Sequence, residues 1–104
     1  MARMIAIYKT PKDPEAFDRH YFEVHIPLAK TLPGLIKYDV GKQPILSTTG
    51  HTDVYCIGTL HFESLDAIKA AFASPQGQAC ALDRKILAPA NDDVQIYIFD
   101  TVDV

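Results

Sequence analysis

Residues 20–38, HYFEVHIPLAKTLPGLIKY, pass from a helical pattern through a Pro-Gly break into a strand pattern, and that succession decides the fold. Phe17, Tyr21, Val24 and Leu28 recur at helical spacing, the apolar stripe of a helix packed on one side. Asp13 is placed to cap this helix, Pro14 suits its first position, and Glu15 faces its positive end. The stripe ends near Leu32, where Pro33 and Gly34 stop the helix. Pro27 disfavours helical geometry at Ile26 and has no N–H for the carbonyl of Glu23. A kink or restart is therefore expected there, with His25 at the break.

The flanking segments alternate between strand and helix patterns. Residues 3–9 read as a strand with Met4, Ala6 and Tyr8 on one face and Ile5 and Ile7 on the other. In residues 35–40, Ile36, Tyr38 and Val40 share one face of a second strand, opposite Leu35, Lys37 and Asp39. Residues 44–52 form a loop. The third strand, residues 53–62, sets Val54, Cys56, Gly58, Leu60 and Phe62 opposite Tyr55, Ile57, Thr59 and His61. Ser64 caps a helix carrying Leu65, Ile68 and Phe72, and Ser74-Pro75 restarts one with Ala79, Leu82 and Ile86 as its apolar stripe. After a break at residues 89–92, VQIYIFDTV from residue 94 supplies the last strand.

Strand, helix, strand, strand, helix, strand in one sheet is the α+β, ferredoxin-like βαββαβ arrangement. It has a four-stranded antiparallel sheet, and both helical segments lie on one face. The other face lacks a helical cover, yet several strands carry large apolar residues on both faces, which a small protein cannot leave in water. The expected cover is a second copy, two sheets closing into a homodimeric α+β barrel whose interior would be the natural ligand cavity.

At 104 residues one domain spanning 1–104 is expected. The formal charge of −3, with ten Lys and Arg scattered along the chain, provides no basic stripe for nucleic acid and no polybasic block for anionic lipid. The opening MARMIAIYKT is too short in its apolar run for a signal segment, so a cytoplasmic protein with no membrane partner is expected. Cys56 and Cys80 have no metal or redox spacing and read as reduced packing residues.

The segment HYFEVHIPLAKTLPGLIKYDV resembles the EthD family of small dimeric α+β-barrel proteins. So do YKTPKDPEAFDRHY, HFESLDAIKAAFASPQGQA and the closing VQIYIF tract. The resemblance covers most of the chain and leaves only the loop at 43–52 idiosyncratic. The family is named for an accessory protein encoded with a cytochrome P-450 system for ethyl tert-butyl ether degradation. Methylmuconolactone isomerases and polyketide cyclases are similar proteins. The resemblance implies the fold firmly and a reaction only loosely.

His25 is the leading candidate for chemistry. It follows Tyr21 by four residues, so the two can share a helix face. A helix C-terminus favours its charged form and burial its neutral form, and either way it can titrate near neutrality. The plainer alternative is a histidine bonded to a backbone carbonyl at a helix bend. Tyr38 offers one hydroxyl between Ile36 and Val40, suited to an oxyanion or phenol, or else it is a sheet tyrosine at the rim. The resemblance implies that His25 and Tyr38 line the pocket, as matching positions do in the isomerase relatives. Tyr21, Ile36, Val40 and Cys56 are the expected ligand-binding neighbours, Cys56 as a small buried thiol.

No metal site is expected. His20 and His25 are five residues apart, about 140° around an α-helix, and cannot form a same-face pair. Glu23, which shares a face with His20, can help orient His25 or pair on the surface. His51 and His61 read as solvated. There is no phosphate loop, serine elbow or dinucleotide fingerprint, so no cofactor is expected. The function expected is binding of a compact apolar organic molecule, an aromatic, a lactone or a polyketide-like compound. It would be coupled to cofactor-free isomerisation, cyclisation or oxygenation, His25 moving a proton and Tyr38 holding an oxygen. The alternatives are a non-catalytic carrier serving a degradative oxygenase, and a purely structural dimer.

Overall fold

The computed structural model describes residues 1–41 and 43–104. Its strands are β1 (Ala2–Lys9), β2 (Lys37–Val40), β3 (Val54–Phe62) and β4 (Val94–Asp100). Its helices are α1 (Pro14–His20), α2 (Ile26–Ala29), α3 (Leu65–Ala73) and α4 (Pro75–Leu87), and a π-helical turn, Tyr21–His25, joins α1 to α2. The strands form one antiparallel sheet in the order β2-β3-β1-β4. This is the ferredoxin-like α+β topology, with the two longest strands, β1 and β3, at its centre.

The helix starts follow local chemistry. The Asp13 carboxylate accepts from the Ala16 N–H at 3.1 Å, and Pro14 opens α1 where a missing N–H costs nothing. The Ser64 and Ser74 hydroxyls accept from the Ala67 and Gly77 N–H groups at 3.0 and 3.1 Å, capping α3 and α4. Gly77 is required at the second junction. A Cβ there would collide with the Ala71 carbonyl and the Phe72 backbone, so only glycine lets α4 turn this tightly off α3.

Ala2, Met4, Ala6 and Tyr8 of β1, with Cys56, Leu60 and Phe62 of β3, are buried beneath the helices. The register puts Ile5, Ile7, Ile57, Tyr97 and Phe99 together on the other face, where Tyr97 is 52% exposed. His61 is also on that face. It is not solvated as its position implied, since its Nε2 lies 2.7 Å from the Asp39 carboxylate on the neighbouring strand.

Two helical stripes differ from the expected phase. The α-helix restarts at Ile26, with Pro27 in its first turn, after an underwound turn in which the Ile26 N–H reaches back five residues to the Tyr21 carbonyl. Phe17, Tyr21, His25 and Ala29 therefore form the buried face, and Val24 is turned out to 44% exposure. On α4 the buried positions are Gly77, Cys80, Asp83 and Leu87, while Leu82 and Ile86 are 64% and 67% exposed. The tight junction at Gly77 fixes this phase and carries an acidic residue inward.

Candidate functional site

Between the helices and the sheet, the underwound turn and the rotated α4 meet at one carboxylate. His25 is 6% exposed, and its Nδ1 is 2.8 Å from Asp83 Oδ2. His20, which has more access to solvent, places Nε2 at 2.8 Å from Asp83 Oδ1. The π turn accounts for this convergence. Two residues five apart diverge around an α-helix, but an i→i+5 turn returns the fifth residue to the same side. The expectation that His20 and His25 cannot face one partner is thus overturned, and Asp83, not the exposed Glu23, orients His25.

Burial raises the Asp83 carboxyl, but the hydrogen bonds from His25 and His20 outweigh it and hold the group below its ordinary value. It is therefore an anion that only accepts. Both imidazole nitrogens facing it must carry hydrogens, which fixes the His25 tautomer with Nδ1–H toward Asp83. For His25 itself, burial lowers the pKa and dominates the opposing bond and charge of Asp83. At neutral pH the ring is uncharged, and its Nε2, which has no protein hydrogen bond among the described residues, is a bare lone pair.

The hydroxyls of Tyr21 and Tyr38 lie 2.7 Å apart. Tyr21 is packed between Phe17 and His25, with ring centroids at 5.6 Å on each side and near-parallel planes, and Tyr8 meets it edge-on at 5.8 Å. The hydroxyl pair sits over Gly58. A Cβ on that residue would lie 2.6 Å from the Tyr21 oxygen and 3.4 Å from the Tyr38 oxygen. Burial, moderated by the bond from Tyr21, pushes the Tyr38 phenol up to about 12, so it stays a protonated donor. Either hydroxyl can donate across this contact, and when Tyr21 does, Tyr38 keeps its own O–H for another acceptor.

His25, Tyr38, Tyr8 and Arg84 line one small cavity, closed around its base by Met4, Ala6 and Leu60. Its volume of about 20 Å³ takes one water-sized group. Tyr8 is 1% exposed and makes no side-chain hydrogen bond to the described residues, and Arg84 has no ion-pair partner among them. The cavity thus combines a hydrogen-bond acceptor, two hydroxyl donors and a cation. A larger cleft of about 460 Å³ opens beside it, with Tyr8 lining both.

Of the residues singled out in the sequence, His25 and Tyr38 line this cavity, and Tyr21 is tied to it through its contacts with both. Cys56 and Val40 line a separate depression beside Tyr21 and Phe17, and burial pushes the Cys56 thiol up to about 11. Ile36 precedes β2, is 57% exposed and makes no part of the cavity wall. These side chains lie on the helix-covered side of the sheet, so the cavity is inside one chain and not in a barrel interior between two. Sequence reasoning missed Asp83, Arg84, Tyr8 and the reason for Gly58. A glycine within an apolar strand signals close approach of another group, and here that group is the tyrosine pair.

An antiparallel ferredoxin-like sheet with helices on one face and a small polar recess between them defines the class, a small α+β protein. The EthD domain model matches residues 9–88, and the chain belongs to that family. It is similar to an uncharacterized 11.0 kDa protein in the thcB-thcC intergenic region of Rhodococcus erythropolis, with 39% identity over 80% of each chain. Its fold matches the crystal structure of an EthD-family protein from Bacillus halodurans with a TM-score of 0.86, at 27% identity over 98% of this chain and 99% of that one. It also matches SnoaB, a cofactor-independent oxygenase from Streptomyces nogalater, with a TM-score of 0.71, 13% identity and coverage of 99% and 94%.

Proposed function

We propose that this protein is a cytoplasmic homodimer that binds a compact, mostly apolar organic molecule in a degradative or biosynthetic pathway and moves a proton on it without a cofactor. The observation that carries the reading is the Asp83–His25 pair, which engages Nδ1 and leaves Nε2 free on a ring that lines the same cavity as Tyr38. His25 Nε2 would take a proton from a carbon next to a carbonyl, and the imidazolium so formed would be stabilised by the Asp83 anion. The carbonyl oxygen, becoming an enolate, fits the water-sized recess, where the Tyr38 hydroxyl donates to it and the Arg84 charge offsets it. Return of the proton to another carbon is isomerisation, and attack of the carbanion on a second carbonyl is cyclisation. The likeness to a cofactor-independent oxygenase supports a third fate, reaction of the same carbanion with dioxygen.

A second copy of the chain fits the apolar sheet face carrying Ile5, Ile7, Ile57, Tyr97 and Phe99, and covering it would remove that surface from water. The small size of the closed recess favours one competing reading, a carrier that holds its ligand outside it and serves a degradative oxygenase, as in ethyl tert-butyl ether catabolism.

The test is hydrogen–deuterium exchange at carbon in 2-tetralone and a panel of enolisable lactones and ketones, followed by NMR. Exchange with wild type that falls at least a hundredfold in His25→Ala, and less in Tyr38→Phe, supports the reading. Compounds that bind but exchange no faster than with His25→Ala would replace it with the carrier reading.

A further inference from the structure

The Asp83 carboxylate holds two imidazoles, and the second of them belongs to a different space. His20 lines the cleft of about 460 Å³, whose apolar wall includes Phe17, Leu87, Pro11 and Ile86. That volume is in the range of about 300–1,000 Å³ typical of small-molecule sites, whereas the inner recess holds a single oxygen-sized group. The two spaces share the ring of Tyr8, and the two histidines share Asp83. Ile86, two-thirds exposed on the lip, is an apolar side chain with no packing role in the core beneath α4.

The chemistry of recognition follows from the carboxylate. His20 Nε2–H faces Asp83, which leaves Nδ1 as the acceptor of the uncharged tautomer, with no protein hydrogen bond to it among the described residues. The charged residues lining the cleft, Lys9 and Lys12 with Asp13 and Asp93, balance in sign, so it carries no net attraction for an ion. The Asp13 and Asp93 carboxylates already accept from the Ala16 and Ala90 N–H groups, so the acceptor on His20, beside an apolar wall, suits a neutral molecule carrying an O–H.

We propose that this cleft is the recognition site for a compact aromatic or alicyclic hydroxy compound, a phenol, an enol or an alcohol, whose O–H is donated to His20 Nδ1. Tyr8 is then the partition between the bound body and the recess at His25. The proposal rests on the function proposed above only for what happens beyond Tyr8, and the recognition step is measured separately.

The probes are 2-naphthol and 2-methoxynaphthalene, which differ in one O–H, titrated into the full-length protein by fluorescence and by amide NMR. The expected result is that shift changes fall on Ala16, Phe17 and Leu87. 2-Naphthol should bind about threefold to tenfold more tightly, the worth of one neutral hydrogen bond. In His20→Phe that preference disappears, and in Ile86→Trp, which fills the lip without touching the core, both probes bind more weakly. The proposal is overturned by no binding of either probe, by shift changes confined to Ala29, Leu32 and Phe72 of the inner recess, or by equal affinities in wild type. Any of these together with intact His25-dependent deuterium exchange leaves the proposed proton transfer standing and removes the cleft alone. Loss of His25-dependence with naphthol binding intact does the reverse.

Discussion

Gly58→Ala is the smallest change that separates the tyrosine pair from the rest of the core. The added Cβ would sit 2.6 Å from the Tyr21 oxygen, about 0.8 Å inside ordinary contact at 3.4 Å. Tyr21 cannot swing away, because it is fully buried and held between Phe17 and His25 with Tyr8 against its edge. Overpacking of this kind costs about 1–3 kcal/mol, and losing the 2.7 Å hydroxyl bond to Tyr38 adds about 1 kcal/mol. Alanine returns about 0.4–1 kcal/mol by restricting the unfolded chain. The net expectation is a loss of about 1.5–3 kcal/mol.

Tyr21→Phe removes the atom that is struck, so on that background Gly58→Ala should be close to neutral. The four proteins of the cycle, compared by urea denaturation at one fixed protomer concentration, are expected to show a coupling of at least about 1.5 kcal/mol. Additivity of the two substitutions, or a Gly58→Ala protein as stable as wild type, would refute the claim that glycine is there to admit the hydroxyl pair.

Asp83→Asn removes the charge that opposes the burial-driven fall of the His25 pKa, so the acid limb of a kcat/KM profile should move to lower pH while the rate falls by about 10²- to 10⁴-fold. An acid limb that stays in place would contradict the pairing. Because the folded pKa of His25 lies below its ordinary 6.5, the unfolded chain takes up that proton first as pH falls. Wild type should therefore lose stability from about pH 6.5 down to the folded value, by at most about 1.4 kcal/mol per pH unit from this group. Asp83, depressed from 3.8, adds stability that disappears only below that value. His25→Gln should flatten the slope that begins below about pH 6.5, and an unchanged slope would count against a depressed histidine. Ile5→Lys with Tyr97→Asp should convert the dimer to monomer in sedimentation velocity, whereas a wild-type protein monomeric at micromolar concentration would dismiss the covering copy. Cys56, raised to about 11 by burial, should resist thiol reagents at pH 8 until urea unfolds the chain, and rapid native modification would show the thiol open to solvent.

The topology was legible because the signals that carry it are local. Asp13, Ser64 and Ser74 cap where short polar side chains before Pro or apolar residues should cap, and the alternation in β1 and β3 sorts their faces correctly. His25 and Tyr38 were legible as candidates because a titratable ring at a helix break and a tyrosine between apolar neighbours are conspicuous in sequence. The carboxylate that holds His25 and His20 was not. Leu82 and Ile86 satisfy helical spacing as well as Cys80, Asp83 and Leu87 do, and hydrophobicity alone favours the former pair. What decides between the phases is the contact of Gly77 with the α3 backbone, a tertiary fact. Ile36 was misplaced for a related reason: alternation assigns a face but not the residue at which a strand begins.

The two departures from regular pattern account for each other. An inward-facing Asp83 on α4 is a buried charge, costly unless donors meet both oxygens. A regular α-helix over residues 14–29 would offer one histidine at most, because His20 and His25 would diverge. The i→i+5 turn at Tyr21–His25 brings both rings to Asp83 at 2.8 Å, and Pro27, lacking an N–H, leaves Glu23 without the α-helical bond that would favour rewinding. A leucine at 83 would leave the His25 Nδ1–H buried and unpaired, and a regular helix would leave an Asp83 oxygen unmet. Each feature alone leaves a buried polar atom unmet, and together they hold His25 in one tautomer with Nδ1–H on Asp83. The polar cluster is thus a condition of packing α4 against the π turn at all, which is why it persists inside a core that is otherwise aromatic and aliphatic.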